Sequence, residues 1–153
     1  MRPLMISALR ALGPSVASTP LPEAVRAGIG AVAGLIIAGL FVLSPAVDSQ
    51  LGLYLIAPFG ASSVLLFAVP NSPLAQPWSI IGGNVCSALV GIAVVHLVPS
   101  PMLAAALAVG GAIIVMSLLR CLHPPGGAVA LASVLGGAGG ASAHYAFAFV
   151  PVG

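Results

Sequence analysis

The side chains with chemistry to offer are few and lie close together. Arg120-Cys121-Leu122-His123-Pro124-Pro125-Gly126-Gly127-Ala128 sets a guanidinium, a thiol and an imidazole beside two prolines and two glycines. An imidazole changes charge near neutral pH, so His123 could carry a proton in a coupled cycle. Pro124 and Pro125 interrupt a helix. A helix restarting after them offers free N–H groups and the positive end of its dipole, which hold a small anion without any basic side chain. Gly126, Gly127 and Ala128 let a ligand approach that backbone closely. Arg120 reads either as a topological anchor or as a charge at the pathway mouth that attracts anions.

A second stretch repeats the pattern. Pro58-Phe59-Gly60-Ala61 matches Pro125-Gly126-Gly127-Ala128, and Ser62 and Ser63 follow it with two hydroxyls. Gly60 and Ala61 are expected to open a second half-helix after a break at Pro58. Asn84, inside an apolar run, is either a donor to substrate or a polar contact between helices. The candidate substrate site is therefore Gly60, Ala61, Ser62, Ser63, Asn84, His123, Gly126, Gly127 and Ala128. Arg120 is its pathway charge, and Pro58, Pro124 and Pro125 are its helix breaks. Cys121 and His123 have no complementary ligand cluster, so no metal or other cofactor is expected. No Ser/His/Asp set, carboxylate pair, His-Glu-x-x-His or phosphate loop can be read, and no enzyme is expected.

The elements that must hold these residues are set by composition. Of 153 residues, 60% are hydrophobic and 4% charged, with mean hydropathy +1.22. A soluble domain carries about 25% charged residues, so this chain belongs in a lipid bilayer. A net charge of +2 is too small for a nucleic-acid partner. Cys86 and Cys121 lie in or beside apolar segments, which argues against a disulfide framework.

Apolar runs of spanning length cover 24–43, 51–69, 79–98 and 102–119. A shorter fifth covers 125–135, and a sixth begins near His144. Residues 1–22, with Arg2, Arg10 and four prolines, read as a cytoplasmic N-terminal tail ahead of a membrane domain at 23–153. Arg2, Arg10 and Arg26 place the N-terminus in the cytoplasm, and four crossings return Arg120 to that side. The expected setting is a bacterial inner membrane.

The fold class that follows is an all-α membrane bundle of five to six spanning or half-spanning helices. Its proline-glycine motifs fall in the second span of each of two three-span groups. An odd number of spans per group makes the second group run upside down, the inverted-repeat plan of many transporters. The second group is expected to lack the end of its last helix. Its glycine-rich spans also offer faces for a homo-oligomer.

Ala57-Pro58-Phe59-Gly60-Ala61-Ser62-Ser63, Ala75-Gln76-Pro77-Trp78 with Gly82-Gly83-Asn84, and His123-Pro124-Pro125-Gly126-Gly127-Ala128 together resemble the HPP family of integral membrane proteins. The likeness covers about residues 20 to 153. It implies a compact hydrophobic membrane domain, described with four spanning helices and in some members followed by regulatory CBS domains. It also implies a transporter, plant and cyanobacterial relatives being associated with nitrite. A small inorganic anion such as nitrite is the expected cargo. The alternative is a membrane sensor or subunit that binds a small ligand and signals to a partner.

Overall fold

The computed structural model describes residues 18–42 and 49–138. The tail at 1–17 and the sixth segment near His144 lie outside them. Five α-helices follow one another, α1 Leu21–Val42, α2 Ser49–Ala68, α3 Pro77–Leu97, α4 Pro101–Leu118 and α5 Pro124–Ala138, with a 3-10 turn at Pro73–Ala75. The described residues form no strand. Helices α1, α3 and α4 are long and apolar enough to cross a bilayer, while the apolar stretches of α2 and α5 are shorter. The chain is an all-α membrane protein.

Proline sets the helix starts. Pro77, Pro101 and Pro124 each stand first in their helix, where φ is preset and the missing N–H has no helical partner to lose. Helix α4 stops differently. The Cys121 N–H bonds to the Met116 carbonyl (2.9 Å) and the Arg120 N–H to the Ser117 carbonyl (3.2 Å). That pair of bonds is a Schellman ending, with Arg120 in the left-handed position at φ 55°. Cys121 and Met116 pack in one buried cluster, supplying the apolar contact that accompanies this motif.

Helix α5 is the centre of the bundle, packed against α2, α3 and α4. One core joins Leu55 of α2, Ala88 and Ile92 of α3, and Val129 and Ala132 of α5. The other joins Ala104, Ala108, Ala112 and Met116 of α4 to Ala130 and Val134 of α5. The α3–α5 crossing is close because its residues are small. A Cβ on Gly91 would lie 2.6 Å from the Ala130 carbonyl oxygen, and one on Gly126 would lie 3.1 Å from that of Gly83. Helix α1 packs chiefly against α2, where Gly30 and Gly34 receive the ring of Phe67.

One expectation is corrected. Helix α2 runs from Ser49 to Ala68 without interruption, Pro58 included. Pro58 removes the one N–H that would have bonded to the Tyr54 carbonyl. Helical residues on both sides, and the burial of Pro58 itself, carry the helix past it. No half-helix begins at Gly60. Among the described residues α1 packs on α2, α4 on α5, and α2 on α5, and the third span of the second group lies outside them.

Candidate functional site

The site grows out of the connection between α4 and α5. Leu119 sits level with the start of α3, because the Trp78 indole N–H donates to its carbonyl at 3.2 Å. Four residues later His123 is against Gly83, where an added Cβ would come within 2.7 Å of the His123 Cβ. Between them, Cys121 packs on Gly82. The connection therefore descends beside α3, and α5 starts about 10 Å deeper than α3, taking 1.5 Å per residue. His123 precedes a proline, which keeps it out of the helical region. Non-helical backbone at such depth persists only when protein covers it, and Cys121 and His123 are both fully buried.

The His123 ring joins three elements. Nδ1 lies 2.8 Å from the Leu74 carbonyl oxygen, and a carbonyl only accepts, so Nδ1 carries the proton. In the neutral ring Nε2 is then an acceptor. It receives the Ser62 hydroxyl of α2 at 3.0 Å. The Leu74 turn is itself tied down. Ser72 caps it through the Leu74 N–H (3.2 Å), Ser79 donates to the Pro73 carbonyl (2.9 Å), and Gln76 donates to the Ser72 carbonyl (3.2 Å).

Asn84 completes a polar layer. It lies one turn before Ala88 on the stripe of α3 that packs between α2 and α5. Ser62 lies one turn beyond Phe59, which packs from α2 against the same core. Asn84 is 5% exposed, and its Oδ1 is buried with no hydrogen-bond partner among the described residues. Buried polar atoms are nearly always bonded, so an orphan acceptor signals a site that something else completes.

The remaining candidates are placed as follows. Ser63 is buried, but its hydroxyl donates to the Phe59 carbonyl (2.9 Å). It lines a cleft of about 300 Å³ between α1 and α2. Ala61 is exposed, and a Cβ on Gly60 would meet nothing within 4 Å. Gly126 is enclosed, since a Cβ there would lie 2.6 Å from Ser87 Oγ. Gly127 lines an apolar groove of about 360 Å³ with Val109, Ile113, Met116, Leu122 and Pro124. Pro125 is buried, Ala128 half-buried, and Pro124 and Arg120 exposed. The fold thus brings Ser62 and His123 together, buries Asn84 one residue after the Gly83 that packs on His123, and leaves Ala61, Gly127 and Arg120 apart.

The start of α5 offers fewer donors than its position suggests. Pro124 and Pro125 have no N–H, and the Gly126 N–H bonds to the His123 carbonyl at 2.8 Å. The positive helix end remains, with these three N–H positions empty or already bonded. Sequence reading missed the Leu74 carbonyl, because a backbone acceptor leaves no mark in residue types. Both cysteines are free, Cys121 buried and Cys86 half-buried. Among the described residues no group of three or more His, Cys, Asp or Glu side chains gathers to hold a metal ion.

Comparison with known proteins agrees with this architecture. Two proteins of Dictyostelium discoideum, both named as transmembrane proteins, are similar to the chain. One is 39% identical over 140 residues, covering 87% of this chain and 48% of its own length. The other is 41% identical over 104 residues, covering 65% of this chain and 33% of its own length. The chain thus spans about half the first relative and a third of the second. No solved structure matches. Residues 16–153 match the family described as HPP, transmembrane region, and the chain, with its buried His123-Pro124-Pro125 turn, belongs to that family of membrane proteins.

Proposed function

We propose that this domain carries a small inorganic anion, nitrite first among the candidates, across the membrane through the Ser62–Asn84–His123 layer. The observation that supports it is a buried amide oxygen with no partner among the described residues, one residue from the Gly83 on which His123 packs, in a mainly apolar bundle that also buries the Ser62–His123 pair. Polar and ionisable groups at such depth are costly and default to a functional role. The cargo follows the family resemblance. The arginine pattern orients the domain with its N-terminus and Arg120 on the cytoplasmic side of a plasma membrane. A homo-oligomer would cover part of the exposed apolar surface of α1.

Ser62 and His123 also have the spacing of a nucleophile and its base. Both are buried, His123 fully, and the pair faces α3 and the Leu74 turn. That placement favours a proton relay over attack on a substrate, and no enzymatic role is proposed.

The test is uptake into liposomes holding the purified protein, with nitrite, nitrate, formate and chloride offered separately. Saturable nitrite uptake, lost in Ser62→Ala protein that still folds, is the expected result. Saturable binding with no flux of any solute would replace the carrier with a ligand sensor or subunit.

A further inference from the structure

The polar layer has a definite chemical bias. Among the described residues its orphan atom is an acceptor, the Oδ1 of Asn84. Its hydroxyl already donates to His123, and the neutral ring has both nitrogens engaged. At the start of α5 two prolines have no N–H and the Gly126 N–H is bonded to the His123 carbonyl. No fixed positive charge enters either. Among the described residues Glu23 and Arg26 pair with each other on the exposed part of α1, and Arg120 is exposed. The elements around His123 present Ser62, the Leu74 carbonyl and Gly83, and the nearest titratable neighbours are the Cys121 and Cys86 thiols, which contact each other. An ionised guest here would lose its water and gain no countercharge, which is strongly unfavourable.

We infer that the species handled at Asn84 is the uncharged oxyacid, HO–X=O, and not its anion. This rests on the carrier reading above and specifies the form of its cargo. A carboxamide sets an acceptor beside two donors in one plane. Nitrous acid and formic acid set a donor O–H beside an acceptor oxygen on one atom. The two pair through two parallel hydrogen bonds, the acid O–H to Oδ1 and the amide N–H to the second acid oxygen. The pair forms equally well with the amide turned over. The proton balance is simple. One proton from solution joins the anion on the entry side, the neutral acid crosses, and the same proton leaves the acid on the far side. Chloride and nitrate have no comparable neutral acid near neutral pH.

The experiment uses liposomes containing the full chain, an internal pH dye and a set potassium diffusion potential, with flux through protein-free liposomes subtracted. Nitrite and formate are the weak-acid probes, nitrate and chloride the strong-acid ones. Expected is protein-dependent uptake of the weak acids alone, rising about tenfold per unit fall in external pH below saturation. It acidifies the lumen and does not respond to the potential. Asn84→Ala should lower it at least tenfold in protein that keeps its unfolding temperature. The selectivity and the indifference to voltage are read on the unmodified chain, so the test survives a variant that fails to fold. Uptake of nitrate or chloride at the nitrite rate, or flux that follows the potential, would overturn the neutral-acid form and leave the carrier standing. No flux of any probe from folded protein would remove both.

Discussion

Two proline-bearing segments of nearly the same sequence behave in opposite ways. Pro58-Phe59-Gly60-Ala61 lies inside an unbroken helix, whereas the prolines before Gly126-Gly127-Ala128 begin one. The proline is therefore not what makes the break. A single proline removes one bond, and the helix closes around it when both flanks are helical. At Pro124 the preceding chain is already committed elsewhere, to the Schellman ending of α4 and to the bond from His123 to Leu74. Two successive prolines then fix the new start. The break is made by what flanks the prolines, and His123 is its principal fastening.

The largest expected effect comes from removing that fastening. His123→Ala should destabilise the protein by about 3 kcal/mol, because it opens a cavity and leaves the Ser62 hydroxyl and Leu74 carbonyl buried without partners. Unfolding in detergent measures it, and a change under about 1 kcal/mol would mean that the prolines hold the break alone. Next comes a matched pair of glycines. Gly126→Ala places a Cβ against Ser87, Met116 and Gly83 and should cost about 1–3 kcal/mol through overpacking. Gly60→Ala, one position later in the matching motif of α2, has open space and should be neutral or gain up to about 1 kcal/mol from helix propensity. Equal losses at both would show that the two segments share a constraint the contacts do not reveal. The smallest effect has the opposite sign. Arg120→Gly relieves a left-handed residue at the end of α4 and should stabilise by about 1 kcal/mol. A loss there would show that the Arg120 side chain does more than turn the chain.

The same contrast explains what the sequence could tell. Hydropathy located all five described helices to within a few residues, since lipid imposes length and composition on each span separately. His123-Pro124-Pro125 was legible as a break because covalent geometry near proline is local. The continuity of α2 was not, because it depends on the neighbours that bury Pro58. Nor was the pairing of Ser62 with His123, 61 residues apart, or the role of Leu74, which contributes only its carbonyl. Asn84 was singled out as either a ligand donor or helix glue. Its oxygen has no partner among the described residues. Gly126 went the other way, from ligand approach to helix contact, once Ser87 and Gly83 were seen beside it.

Helix α1 stands outside all this, and the thickness of the bilayer acts on it first. Its 22 residues extend about 33 Å, slightly more than the roughly 30 Å of a typical hydrocarbon layer. Only 6% of its apolar window is buried in the protein, and Phe67 seated on Gly30 and Gly34 is one of its attachments. A thinner membrane tilts α1 about that aromatic pivot while His123, fastened to α2 and the Leu74 turn, keeps its place. The outermost helix can follow the lipid without disturbing the polar layer behind it.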